Sequence, residues 1–444
     1  MNKLPVVIGL TVILKGLPKF VFVSTLVIVS LGDARAFQFD YGTGATMSYS
    51  DNITQTSENE EGEWVGSGII GASLEQDSGP FIIDANALLR YEDYVNNTFS
   101  DRLLFSLNNQ AEWRIAPERF SWILGNYFTQ VSIDPVDPAT PDNTQNTNAF
   151  STGPNFVLRL GPLNRLGTGI RYDYIYFEES DADNIRYSAF ASWLLTPASP
   201  HEYSLNLSGE KVDFIDDDLN DNFTREDYSL AFTTQYPGYS FRAELGGTSI
   251  QSDNGDDFGY LARAAWTRNL TNLSTIAISA ASQLTDTGRN LLEANTSPDQ
   301  SNLLTEEVSA DIFREKELSV AFIREGDPLR GGLSADWIDR DYENAPLDRV
   351  IKGVAGNIEY NITATLVGTL FGEYDWTREF ATKRVDKDRS IGIGLIYLIR
   401  RNLRVEMTAQ YLNRNSNVPD GGYSEITGFL GIAYGMNVIS GGRS

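Results

Sequence analysis

The chain has 444 residues, a formal net charge of −25 and no cysteine. Such acidity argues against a nucleic-acid partner, because nucleic-acid phosphates require a basic face. Without cysteine there is no disulfide framework, and stability must come from packing and from strand pairing. The length suits one large all-β domain.

Residues 1–36 predict an export signal. Lys3, Lys15 and Lys19 precede an apolar run over 20–31, and Ala34-Arg35-Ala36 has the small-residue pattern of a cleavage site. Cutting after Ala36 leaves residues 37–444 as a single predicted domain. The alternative is an uncleaved membrane anchor, because residues 4–14 are also apolar. After Ala36 no segment reaches the roughly 18 apolar residues that a spanning helix needs.

The rest of the chain repeats one pattern, in which apolar and polar residues alternate over runs of about 10–14 residues. In 103–115, for example, Leu103, Phe105 and Trp113 alternate with Ser106 and Gln110. The same alternation recurs in 166–177, 366–377 and 404–414. It predicts strands with two different faces that are long enough to cross a bilayer when tilted.

Aromatic residues and loop lengths distinguish a membrane barrel from a soluble sandwich. Aromatic residues precede short turns at Trp113, Trp193 and Trp266, and longer loops at Tyr174, Tyr176 and Trp376. This resembles the two aromatic girdles of a membrane barrel. Short connections such as 77–80, 161–164 and 237–238 alternate with long ones such as 51–63, 133–149 and 285–316. A barrel with periplasmic turns and extracellular loops predicts this asymmetry.

The sequence therefore predicts an all-β fold, a transmembrane antiparallel β-barrel of about twenty strands, with 18 to 22 as the range. The even count requires that 303–313 belong to the long loop 285–316 rather than form a strand. That loop either folds into the lumen or projects outward. The expected location is the outer membrane of a Gram-negative bacterium, with outer-membrane lipid and lipopolysaccharide as surroundings.

Several short motifs resemble the β-barrel porins encoded in exopolysaccharide loci, some of which are associated with the exosortase (PEP-CTERM) sorting system. They are Tyr49-Ser50-Asp51-Asn52-Ile53, Arg90-Tyr91-Glu92-Asp93-Tyr94 and Trp337-Ile338-Asp339-Arg340-Asp341-Tyr342, the last within 313–344. The resemblance spans most of the mature chain in layout. It implies an outer-membrane location and a role in polysaccharide export, with polysaccharide and periplasmic export proteins as partners. It brings no catalytic residues.

Catalysis has little support in the residues. The single histidine, His201, lies in the short turn 196–202, where a solvated surface role is expected. Glu373 and Asp375 share a strand face at a spacing that a glycosidase could use, but polar residues on that face suit a pore lining better. Acidic loops at 216–221 and 253–257 could hold calcium, although neither matches the calcium-loop pattern. We expect no catalytic site, no metal and no cofactor.

The polar faces, assigned to the inside, supply the candidate pore-lining residues. These are Arg90, Glu92, Glu112, Arg114, Arg171, Asp173, Glu210, Asp227, Asp336, Arg340, Glu373, Asp375, Arg404, Glu406 and Arg414. Their acidic excess predicts a preference for cations that salt screens. The expected function is a porin-like channel that serves as a conduit for exopolysaccharide export. The alternative is a structural or adhesive barrel with a blocked lumen and partner-binding loops.

Overall fold

The structure, a computed structural model, describes residues 38–198, 200–216, 220–252, 255–294 and 308–435. The predicted signal peptide lies outside these residues, as do positions 303–307 of the segment 303–313 that the sequence assigns to the long loop. The first ten strands are β1 (Gln38–Ser50), β2 (Glu63–Gln76), β3 (Phe81–Tyr94), β4 (Arg102–Ala116), β5 (Phe120–Ser132), β6 (Thr144–Arg159), β7 (Asn164–Phe177), β8 (Asn184–Ala198), β9 (His201–Phe214) and β10 (Phe223–Tyr236).

The described residues of the second half of the chain form ten more strands and one α-helix. They are β11 (Tyr239–Ser252), β12 (Gly255–Thr271), β13 (Ser274–Asp286), α1 (Thr287–Ala294), β14 (Ile312–Arg324), β15 (Leu329–Tyr342), β16 (Arg349–Asn361), β17 (Leu366–Glu379), β18 (Val385–Arg400), β19 (Leu403–Ser416) and β20 (Tyr423–Gly435). A 3-10 turn occupies Pro141–Asn143. Among the described residues no helix is long and apolar enough to cross a membrane.

All twenty strands form one antiparallel sheet in which each strand pairs with its neighbours in the chain. The sheet closes because β1 pairs with β20, from Gly42 opposite Gly435 to Ser50 opposite Thr427. Closure leaves no free sheet edge, which is the condition for a sheet to reside in a bilayer. The predicted fold class is confirmed, and the described part of the chain contains the predicted twenty strands.

The two faces of each strand differ as the alternation predicts. In β1, Phe39, Tyr41 and Tyr49 lie on the exposed outer face, while Asp40 and Ser48 point inward. Because the register is continuous from strand to strand, this parity can be followed round the barrel. The outer surface is an apolar band with aromatic residues, and the inner surface is mainly polar.

The two ends of the barrel differ in the length of their connections. At the turn-side end, tight turns such as Pro237-Gly238 join the strands, and Gly238 has a φ of +72°, as the third position of a type II turn requires. At the loop-side end, residues 51–62, 133–143 and 287–311 form the longer connections. Following the usual orientation of such barrels, the turn side is periplasmic and the loop side extracellular.

The loop predicted over 285–316 is shorter than expected. Strand β13 continues to Asp286 and β14 begins at Ile312, because the two strands pair with each other up to that contact. The residues that follow β13 form α1, which the sequence did not predict. An eight-residue helix is too short to show a distinct apolar stripe.

Candidate functional site: the lumen and its plug

The fifteen candidate pore-lining residues all fall on the inner face of the barrel. The strand register places Arg171 opposite Ser188 and Asp375 opposite Asp388, on the face away from the exposed apolar band. Most of the basic candidates are paired with a carboxylate close by. Such pairs include Arg114–Glu112 at 3.1 Å, Arg404–Glu406 at 2.7 Å, Arg340–Glu315 at 2.8 Å and Arg414–Asp388 at 2.6 Å. That ions pass along these residues stays a prediction.

Helix α1 folds back into the lumen, where we call it the plug. Its Leu291 belongs to an apolar cluster with Tyr127, Val131, Ile175 and Phe177 of the inner wall. A second cluster at the same end joins residues of β9–β11, β13 and β14, namely Val212, Phe214, Phe223, Ile250, Leu284 and Ile312. The loop-side part of the lumen between β5 and β14 is therefore packed rather than open.

Ion pairs hold the plug to the barrel wall. Arg186 of β8 is fully buried and contacts both carboxylate oxygens of Asp286, directly before the helix, as well as Glu210 at 3.6 Å. Arg289 of the plug contacts Asp227 at 3.0 Å and Glu210 at 3.8 Å. The predicted residues Glu210 and Asp227 are thus anchors of the plug.

These contacts shift the pKa values of the charged groups in the plug. Burial alone would lower the pKa of Arg289, but the carboxylates of Asp227, Glu293 and Glu210 raise it above its ordinary value. Burial would raise the pKa of Glu293, but Arg263 and Arg289 lower it. Both groups therefore stay charged and bound at neutral pH. Sequence reasoning missed Arg186, Arg263 and Arg289, because only the fold brings them together.

A second loop crosses the mouth of the barrel, and we call residues 133–143 the strap. The carbonyl oxygen of Val136 accepts hydrogen bonds from Arg384 Nη2 and Arg414 Nη1, both at 2.7 Å. Arg384 also contacts the carboxylate of Asp137 at 3.1 Å. The strap leaves from β5, yet Arg414 is on β19, and the shorter way between these strands passes β20 and β1–β4. The contact therefore reaches over the lumen opening.

The strap is preorganised by its own hydrogen bonds. Asn143 Nδ2 donates to the carbonyl oxygens of Asp134 at 2.7 Å and Pro138 at 3.0 Å, and Asn143 Oδ1 accepts from the Asp134 amide at 2.9 Å. Asp134 Oδ1 in turn accepts from the Val136 amide at 2.9 Å. This local network fixes the tip, so Val136 and Asp137 face the arginines without a large loss of loop entropy.

The wall formed by β15–β18 is acidic at mid-height, and we call Asp336, Glu373, Asp375 and Asp388 the acidic wall. The register runs from Asp336 across Gly353 to Asp375 and on to Asp388. Asp375 contacts Glu373 and is repelled by the other two carboxylates. Arg414 compensates Asp388 alone, through two hydrogen bonds of 2.6 and 3.2 Å.

A cation faces this wall from across the barrel. Arg171 lies on β7, ten strands from β17, which is half of the twenty-strand circumference. Its guanidinium donates to the Pro154 carbonyl at 3.2 Å and to Asn155 Oδ1 at 2.6 Å, and it lies 5.0 Å from the centre of the Phe190 ring. Charges of opposite sign on facing walls create a transverse field in the lumen.

His201 is not the solvated turn residue that the sequence suggested. It begins β9, and its ring lies on the outer surface, 5.9 Å from the ring of Phe232 and 6.2 Å from that of Tyr236. The ring packs there because β9 and β10 pair as far as His201 opposite Thr234. In the two acidic loops whose sequence could hold calcium, residues 217–219 and 253–254 lie outside the described residues. Elsewhere in the described chain, no cluster of three or more acidic or histidine side chains could hold a metal.

One protein family matches part of the chain. Residues 350–435, from β16 to β20, match the family described as "Putative beta-barrel porin 2". No curated protein matches. The match is to a β-barrel porin family, and together with the closed barrel and its apolar outer surface it supports the predicted outer-membrane location. The protein is a porin-like outer-membrane barrel.

Solved structures with a similar overall path include receptors and porins. The siderophore receptor PirA from Pseudomonas aeruginosa has 11% identity and a TM-score of 0.44, over 89% of this chain and 80% of that one. The FrpB iron transporter from Neisseria meningitidis (F3-3 variant) has 10% identity and a TM-score of 0.47, over 89% and 81%. OccK2 (OpdF) from P. aeruginosa has 9% identity and a TM-score of 0.39, over 90% and 97%. All three identities are 11% or lower and all three TM-scores are below 0.5.

Proposed function

We propose that this barrel is a gated, non-catalytic conduit for a hydrated saccharide polymer on its way out of the cell, captured in its closed state. The observation that carries the proposal is the inner wall on the turn side of the plug, which is lined by amide, hydroxyl and small side chains. They include Asn86, Asn108, Gln110, Ser192, Asn206 and Gln410. Asn86 and Gln110 are exposed, so water reaches this part of the lumen.

Such a wall suits a sugar chain because hydroxyl groups exchange hydrogen bonds with amides and hydroxyls at little net cost. A barrel of twenty strands is also wide enough for a water-filled passage, since porins of about 16–18 strands already have one. Polysaccharide as cargo rests on this wall and on the resemblance to porins of exopolysaccharide loci. The plug and the strap would then have to move for the polymer to pass.

The two loop-side elements also favour a second candidate, a structural or adhesive barrel whose lumen stays blocked. The buried Arg186–Asp286 pair and the apolar cluster around Leu291 would serve a permanent closure equally well. The two candidates differ in whether the plug opens under any condition.

Gene deletion and electrophysiology test the proposal together. The deletion strain should lose surface polysaccharide, and the wild-type gene should restore it. In planar bilayers, a variant in which residues 287–311 are replaced by a short glycine-serine turn should conduct far more than the wild type. Normal surface polysaccharide in the deletion strain, with no related barrel present, would refute the export role. An unchanged conductance in the loop variant would show that α1 does not obstruct the lumen.

The passage, when open, should prefer cations. The acidic wall has one arginine partner for four carboxylates, and the opposite wall supplies Arg171. This balance supports the selectivity expected from the sequence.

A further inference from the structure

A groove of about 430 Å³ lies on the outer, membrane-facing surface of β8–β11. Its walls are formed by large side chains, among them Trp193, Tyr203, Leu205, Leu230, Phe232 and Leu245. The groove is deep at Ala243 because this small residue of β11 is paired with Phe232 on β10 and with the equally small Ala264 on β12. The groove therefore results from the pairing register of β10, β11 and β12, which places small residues beside large ones.

Two polar groups without partners lie beside the groove. His201 and Thr234 are cross-strand partners, and both lie on the outer face near the turn-side end. His201 Nδ1 and Thr234 Oγ1 are buried and have no hydrogen-bond partner in the structure, and only 6% of Thr234 is exposed. The His201 ring contacts Phe232, which lines the groove. Buried polar atoms in proteins are almost always paired, so these two point to a missing ligand.

The position of the groove limits what that ligand can be. It opens to the hydrocarbon of the bilayer, and its polar neighbours lie towards the turn side, where the periplasmic leaflet has its head groups. A glycerophospholipid combines the two chemistries that are present. Its acyl methylenes match the apolar walls, and its ester and phosphate oxygens can accept hydrogen bonds from the Thr234 hydroxyl and a His201 N–H.

We propose that β8–β11 hold one phospholipid of the periplasmic leaflet at a specific site. An acyl chain lies in the groove over Ala243, and the glycerol and phosphate oxygens bind His201 and Thr234. This lipid completes the outer surface beside the plug's anchoring strands. The site is independent of the cargo proposed for the lumen.

Native mass spectrometry of the detergent-purified barrel tests the site, with palmitoyl-oleoyl phosphatidylethanolamine as the added probe. Wild-type protein should bind one lipid that survives detergent exchange. Ala243→Phe fills the groove and should weaken this binding at least tenfold. Ala409→Phe adds the same ring on the exposed outer face of β19, far from the groove, and should leave binding unchanged.

Two further variants separate the head-group contacts from the acyl contacts. His201→Phe and Thr234→Val keep the groove and should each weaken phospholipid binding several-fold, without changing the heat-modifiable gel migration that reports a folded barrel. Equal lipid retention by wild type and Ala243→Phe would show unspecific annular lipid and overturn the proposal. A dimer that Ala243→Phe dissociates would overturn it too, because the groove would then be a protein interface.

Discussion

Arg186 and Asp286 stand a hundred residues apart in sequence and form a fully buried bidentate ion pair between β8 and the end of β13. The pair fixes the point at which the chain leaves the barrel wall and enters the lumen as α1. This contact joins two strands that are not neighbours, and it acts together with the Arg289 ion pairs and the apolar cluster around Leu291 to hold the plug.

Arg186→Ala should release the plug. Removing one partner of a buried pair leaves the other charge without compensation, at a cost of about 3–5 kcal/mol. Hydrogen exchange of residues 287–294 should accelerate, and bilayer conductance should rise. The matched control is Arg114→Ala, whose pair with Glu112 is exposed and should contribute less than about 1 kcal/mol. Unchanged exchange in Arg186→Ala would show that the Arg289 ion pairs and the apolar cluster are sufficient to hold the helix.

Arg384→Gln combined with Arg414→Gln should free the strap. Each single variant leaves the other arginine bonded to the Val136 carbonyl, so the effect should be more than additive. Each charged hydrogen bond is worth about 1.5–3 kcal/mol. Single-channel recordings should show longer open times in the double variant. Arg159→Gln is the control. Arg159 ends β6 on the turn side and forms an exposed ion pair with Glu118, so this variant should behave as wild type.

Neutralising the acidic wall should reduce cation preference. The triple variant Asp336→Asn, Glu373→Gln, Asp375→Asn removes the carboxylates that lack an arginine partner in the acidic wall. Reversal potentials should shift towards zero at low salt and differ little from wild type at about 1 M, where the screening length is about 3 Å. Glu112→Gln, which removes a carboxylate already paired with Arg114, should have a smaller effect. Anion selectivity of the wild type would contradict the charge argument.

Asp183, in the loop between β7 and β8, should make the stability of the barrel depend on pH. Burial, with a smaller contribution from Asp181, raises the pKa of its carboxyl to about 6, although the Phe177 amide donates a hydrogen bond to it. Because the folded pKa exceeds the ordinary 3.8, the folded state binds the proton more tightly. Stability should therefore increase as the pH falls through about 6 and reach its full gain below about 4.

Asp183→Asn should remove this dependence and stabilise the protein at pH 8 by about 1 kcal/mol, a value reduced for the solvent that still reaches the group. Urea unfolding in detergent at pH 5 and pH 8 measures both effects. Asp142→Asn, on an exposed residue of the strap, is the control. Equal pH dependence in wild type and Asp183→Asn would exclude Asp183 as the source.

Asn109 offers a test on the outer surface. It lies halfway along β4 on the membrane-facing side, opposite Asn126, and its Oδ1 is buried without a hydrogen-bond partner. Asn109→Leu should stabilise the barrel by about 1–2 kcal/mol, because an unsatisfied polar atom is removed from an apolar surface. Asn126→Leu should be less favourable, since Asn126 donates to Asn148 at 2.8 Å. Urea midpoints of the two variants give the comparison.

The barrel could be predicted from the sequence because its determinants are local. In β4, for instance, alternation places Leu103 and Trp113 on one face of the strand and Gln110 on the other. This assignment needs only the period of two residues, and not the identity of the neighbouring strands. The same parity assigns the inner face, so the fifteen candidates could be named before their contacts were known. Strand ends were less certain, as the extension of β14 back to Ile312 shows.

The plug and the strap could not be predicted because their determinants are distant in sequence. Arg289 meets Asp227 across 62 residues, and Arg414 meets Val136 across 278. Nothing near Val136 marks its carbonyl as the acceptor for two arginines. The packed position of His201 could not be predicted for a similar reason, because its aromatic neighbours come from β10.

We expect the strap also to affect the stiffness of the barrel. A ring of twenty strands that encloses a wide lumen is a thin shell, and such a shell resists flattening poorly. A loop that is bound to two sides of the barrel mouth limits how far the cross-section of the barrel can become oval. The Val136 contacts with Arg384 and Arg414 place this loop between β5–β6 and β18–β19. The strap therefore limits deformation of the closed barrel along the line that joins these strands. Releasing the strap should make the barrel wall easier to deform and should also clear the opening.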